Sequence, residues 1–147
     1  MEQAKSYCEL VLSRYPQDEV NHLVGLELAF RLEFYSGNYE KSLEHIDAAL
    51  ANANIDASKL VAAKWHYFHA CALFQMKEFH EAYRKLDETT PLLGDKYGMN
   101  LSIRVLEIMT LFELGHTDLL ETKILNAGNH ALEIEKRLYD SLKGAIL

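Results

Sequence analysis

The stretch His66-Tyr67-Phe68-His69-Ala70-Cys71 is where this sequence comes nearest to chemistry. On a helix, His66 and His69 lie three residues apart on one face, an arrangement that can give two imidazoles to one metal ion. Zinc asks for three or four ligands, and this stretch supplies no third, because Cys71 sits two residues past His69 and points to another side of the helix. There is no HExxH, and His22, His45, His80, His116 and His130 form no second ligand pair. These histidines read as packing or surface residues, with a His-based metal hydrolase as the weaker alternative. Cys8 and Cys71 could act as nucleophiles if a histidine activated them, but both stand among apolar neighbours, as structural cysteines do. Gly94 and Gly98 flank Asp95-Lys96-Tyr97 without the Lys-Ser/Thr that completes a phosphate-cradling loop. Glu133 and Glu135 belong to a solvated helix surface. No catalytic, metal or cofactor site is expected.

Helices must carry these residues. The only two prolines of the 147 residues, Pro16 and Pro91, fall between helical stretches, where a missing N–H and a fixed φ cost least. No convincing period-two alternation supports a sheet. From Val20 to Tyr35 the residues Val20, Leu23, Val24, Leu26, Ala29, Phe30 and Phe34 recur mostly at spacings of three and four, the signature of a buried helix face. Gly37 suits the left-handed closure of that helix, and Asn38 is an acceptable N-cap for the next. In that next helix Tyr39, Leu43, Ile46, Ala49 and Leu50 form one stripe. Two amphipathic helices joined by so short a turn must lie antiparallel, stripe against stripe.

The same unit recurs. Residues 19–54 form the first full hairpin. Residues 57–91 form the second, with an N-cap at Ser58 or Asp56 and a turn at Met76-Lys77-Glu78. Residues 97–130 form the third, turning at Gly115-His116-Thr117. Residues 131–147, with Ile134, Leu138, Leu142 and Ile146 on one narrow face, read as a C-terminal capping helix. Residues 1–16 fit the second half of a truncated unit, with Ala4, Cys8, Val11 and Pro16 standing where Ser42, Ile46, Ala49 and Asn54 stand in the next. Ala4, Ser42, Ala82 and Leu120 are thereby aligned at steps of 38, 40 and 38 residues. Self-similarity at such a period is the mark of a helical solenoid.

At these positions the chain resembles the tetratricopeptide repeat (TPR) family. Tyr39, Ser42, Ile46 and Ala49 match the pattern of its second helix, as do Phe79, Ala82 and Leu86. Trp65, Ala70 and Pro91 add first-helix and terminal matches, and Leu120, Ile124 and Ala127 carry the third unit. The family repeat is about 34 residues, so the excess here falls in longer first helices and in the connections ANANIDAS and TTPLLGDKYG. Other antiparallel helix-pair solenoids are the competing description. The resemblance implies an all-α, right-handed α-solenoid of antiparallel helix hairpins in one domain, 1–147. It places first helices on a concave surface, with Glu27, Arg31, Tyr35, Lys64, Tyr67, Cys71, Gln75, Arg104, Met109 and Glu113 lining a peptide groove. The asparagines of the family's clamp for C-terminal carboxylates are missing, so chaperone-tail binding is not expected.

Composition narrows the partners. A formal net charge of −7 with dispersed basic residues argues against nucleic acid, which draws its affinity from clustered Lys and Arg. The N-terminus lacks a basic region followed by an apolar run, and no apolar run reaches the roughly 20 residues a membrane span needs. Two distant cysteines suit reduced thiols of a cytoplasmic protein. The expected function is a non-catalytic scaffold that binds a peptide or protein segment in its groove. The alternative is a regulatory or sensor segment of a larger multidomain protein, of which this chain would be a fragment. Self-association through the N-terminal helix stays open.

Overall fold

A computed structural model describes residues 2–16, 19–55, 58–89, 95, 98–126 and 128. The regular structure among the described residues is helical, with no strand. The helices are α1 (Glu2–Arg14), α2 (Val20–Tyr35), α3 (Tyr39–Leu50), α4 (Lys59–Gln75), α5 (Phe79–Asp87) and α6 (Met99–Leu114), followed by α7 over 117–126. The chain is all-α. The expected capping helix, 131–147, lies outside the described residues, as do Pro91 and most of the connection before α6. No described helix is long and apolar enough to cross a membrane.

The chain divides into two compact units, residues 1–92 and 93–147. In the first, each helix packs on its neighbour in sequence, α1 on α2, α2 on α3, α3 on α4 and α4 on α5. The turns impose this order. The chain leaves α2, α4 and α6 through a residue with positive φ: Gly37 at 79°, Lys77 at 65° and Gly115 at 71°. In each case the next N–H reaches back five residues, from Asn38 to the Glu33 carbonyl (2.9 Å), from Glu78 to Leu73 (2.9 Å) and from His116 to Leu111 (3.1 Å). This is the Schellman closure, which satisfies the last carbonyls of one helix while reversing the chain. The next helix starts at once, the N–H groups of Ser42, Ala82 and Leu120 bonding to the carbonyls of Asn38, Glu78 and His116.

Asn38 occupies the expected N-cap position, but its side chain does not cap α3. Its Nδ2 instead donates to the Glu33 carboxylate at 2.6 Å, and Lys5 of α1 reaches the other carboxylate oxygen at 3.1 Å. Glu33 is buried, and a buried carboxylate demands donors more strongly than an exposed helix end does. Ser58 likewise stands at the N-cap of α4 without a side-chain cap bond.

Between the hairpins lies an aromatic core. Phe30 stacks on Phe68 with ring centroids 4.6 Å apart and meets the edge of Trp65 at 6.3 Å. Leu23, Leu26, Ile46, Ala49, Ile55 and Ala72 complete the cluster. Of the aligned small residues, Ser42 and Ala82 are fully buried, allowing first and second helices to approach closely. Ala4 is exposed and Leu120 half-buried. Val24, expected on the buried face of α2, is 53% exposed. It sits one position past Leu23, rotated by about 100° from the face that Leu23, Leu26 and Phe30 bury.

The second unit is pinned from inside. Leu106, Thr110 and Leu111 are buried in α6, and the Thr110 hydroxyl donates to the Leu106 carbonyl at 2.7 Å. Buried Glu107 pairs with Lys123 of α7 at 2.5 Å, so one ion pair joins the two helices.

Candidate functional site

Successive first helices of the first unit, α2 and α4, place most of the expected groove residues near one another. Glu27 on α2 accepts from Arg31 one turn on, at 2.8 Å, and from Lys64 of α4, at 2.5 Å. The Arg31 guanidinium lies 5.3 Å from the centre of the Phe68 ring, within cation–π range. Burial pushes the Glu27 carboxyl up, but the hydrogen bonds and charges of Lys64 and Arg31 more than offset it and hold the group below its usual range. The result is an anchored charged strip across two helices, with Arg31 exposed and Lys64 half-buried.

Aromatic residues flank the strip. Tyr35 is 78% exposed, its ring meeting Phe34 in a T-shaped contact with centroids 5.6 Å apart. Tyr67 is half-buried against Phe68, and its hydroxyl is hydrogen-bonded to Cys71. Burial raises the Tyr67 phenol, and burial likewise pushes the Cys71 thiol up to about 11, the Tyr67 contact opposing it. A thiol so protonated is a poor nucleophile. Gln75, at the end of α4, is exposed. Arg104, Met109 and Glu113 belong to α6 of the second unit, where Met109 and Glu113 are exposed and Arg104 half-buried.

His66 and His69 are both half-buried on α4. Among the described residues, no three His, Cys, Asp or Glu side chains converge as a metal site. The Nδ1 of His69 is buried with no hydrogen-bond partner among the described residues, and burial first, with the Lys85 charge next, holds its imidazole below the usual range.

A second feature was not foreseen. Ala4, Tyr7, Cys8, Leu28, Arg31, Leu32, Tyr35 and Ser36 line an open groove of about 580 Å³ between α1 and α2. Of these, Arg31 and Tyr35 were expected in the peptide groove, while Leu28, on α2 among them, went unread because the stronger row, Leu23, Leu26 and Phe30, accounts for the core.

No family model matches this chain, and no solved structure matches it. Short stretches are similar to proteins named DNA mismatch repair protein MutS. The match is 86% identical over 28 residues in Ruegeria pomeroyi, 82% over 28 in Ruegeria sp. (strain TM1040) and 79% over 28 in Roseobacter denitrificans. Each covers 19% of this chain and 3% of the relative, so the chain spans only a small fraction of the curated proteins it matches. A stretch of 28 residues is enough for one helical hairpin and well short of a domain.

Proposed function

We propose that this chain is a non-catalytic protein–protein interaction scaffold of the TPR type, a helical solenoid that binds an extended or helical peptide along the face made by its first helices. The observation that carries the reading is the strip Glu27, Arg31 and Lys64, which spans α2 and α4 and is flanked by exposed Tyr35 and half-buried Tyr67. Repetition of one Schellman turn at Gly37, Lys77 and Gly115 supports the repeat architecture. Aromatic anchors would supply most of the affinity, and the charged strip would select the partner and its orientation. Peptide display against the folded chain tests this. Selected peptides are expected to lose binding to both Arg31→Glu and Tyr35→Ala, two changes at exposed positions. Peptides that bind both variants as well as the parent would contradict the assignment.

A further inference from the structure

We propose that the segment bound on the face of α2 and α4 carries an acidic side chain, a Glu or Asp whose carboxylate seats on the guanidinium of Arg31. This rests on the peptide-binding reading above and names the chemistry that the face selects.

An arginine has five N–H donors in a planar fork and accepts nothing. Arg31 directs one edge of that fork at Glu27, its Nε–H donating to Oε1 at 3.2 Å and its Nη2 to the same oxygen at 2.8 Å. Nη1 has no hydrogen-bond partner among the described residues. The open edge, Nη1 with the second Nη2 hydrogen, matches the two oxygens of a carboxylate. The fork is also held in place before any ligand arrives. Lys64 of α4 fixes the other oxygen of Glu27 at 2.5 Å, and the Phe68 ring centre lies 5.3 Å from the guanidinium carbon. A group set in advance loses less freedom on binding, and the Arg31 side chain is still 45% exposed.

Charge selects the same partner. The chain has 22 Asp and Glu against 15 Lys and Arg, yet α4 carries Lys59 and Lys64 with no acidic residue among its 17. On α2 the second carboxylate, Glu33, is buried and engaged by Asn38 and Lys5. The strip therefore sets two cations, Arg31 and Lys64, against the one carboxylate of Glu27. A basic segment would meet that surplus and find both Glu27 oxygens taken. An apolar one would strip water from the guanidinium edge and return no acceptor. Tyr35, one turn further along α2 and 78% exposed, offers an aromatic contact beside the acidic residue.

Peptides displayed with both ends fused test this, because they offer side-chain carboxylates and no terminal one. Peptides selected on the full chain that lose binding to Tyr35→Ala are expected to share a Glu or Asp. Changing it to Gln or Asn should weaken binding to the parent about fivefold, near the upper end for a half-exposed ion pair. The same change should have no effect on binding to Arg31→Gln, a variant whose circular dichroism should match the parent's. Arg31→Lys should recover only a minor part of the loss, since an ammonium lacks the fork. Tyr35-dependent peptides without an acidic residue, or an acidic residue worth the same against the parent and Arg31→Gln, would overturn the proposal and leave the peptide face standing. Binding to Arg31→Lys as tight as to the parent would overturn it as well, charge alone then being the attraction. Failure to select any Tyr35-dependent peptide would overturn both readings.

Discussion

Helices α2 and α4 open successive hairpins and leave through the same turn, yet they fill equivalent positions in opposite ways. Where α4 has Trp65, only 1% exposed, α2 has Gly25. A Cβ at Gly25 would lie 3.0 Å from side-chain carbons of Val11 and Leu12, so α1 packs down directly on the α2 backbone. At the next turn of each helix, Phe68 is buried beneath α2 while Leu28 stays exposed. The register is shared, but one helix wedges its neighbours apart with an indole and the other lets its neighbour approach. The shared turn fixes where the chain reverses, and side-chain size decides how closely the neighbouring helices pack.

The largest test of that contrast is Trp65→Ala. Removing a fully buried indole costs about 3–5 kcal/mol by the usual core truncation values, read from urea unfolding. Installing the α4 residue in α2, Gly25→Trp, should cost about 1–3 kcal/mol or more through overpacking against Val11 and Leu12, and it should release α1 as seen by faster amide exchange over residues 2–14. If Gly25→Trp left both stability and exchange unchanged, the close approach of α1 would be wrong.

The turns supply a smaller and opposite pair. Lys77 takes the left-handed conformation that Gly37 takes at the equivalent place, and a side chain there costs roughly 1 kcal/mol relative to glycine. Lys77→Gly should raise the unfolding free energy by up to about 0.5 kcal/mol after the added freedom of the unfolded chain is subtracted. Gly37→Lys should lower it by a similar amount.

Acid gives the smallest effect, and it too divides the molecule. His69 and His45 both sit below the usual imidazole range, burial being the first cause at each. A folded pKa below the unfolded value means that the unfolded chain takes up protons first as the pH drops below about 6.5. Stability is held above that pH and declines as the pH falls through the folded values. The urea midpoint at pH 5.5 should lie below that at pH 7.5, and His69→Gln should narrow the gap. The Glu27 and Glu33 carboxyls, held below their usual range, keep their contribution above about pH 4.5 and lose it only on further acidification.

The helices and their turns were legible in the sequence because they depend on local signals. Spacing of Leu23, Leu26 and Phe30 set the buried face, and Gly37 and Gly115 marked two reversals. A turn was also expected at Met76-Lys77-Glu78, although nothing in the chemistry of Lys77 favours its positive φ. Less legible were features decided between helices. Asn38 was read as a cap from its place before α3, whereas the buried Glu33 carboxylate recruits it. Val24 was assigned to the core by a periodicity that two rows of apolar residues on one helix satisfy equally well. The pairing of Glu27 with Lys64 across 37 residues has no local signature, though the expected groove named both. The α1–α2 groove escaped notice because an exposed apolar row and a buried one look alike until packing is known.

The most direct test of a continuous face across α2 and α4 is a charge-reversal cycle on the pair that joins them, Glu27→Lys and Lys64→Glu, singly and together, measured by urea unfolding. The account predicts that each single reversal destabilises the chain and that the double reversal recovers about 0.5–1 kcal/mol relative to their sum, the size expected of a partly exposed ion pair. Strictly additive losses would mean that Glu27 and Lys64 do not meet, and the shared face of the two helices would be lost with them.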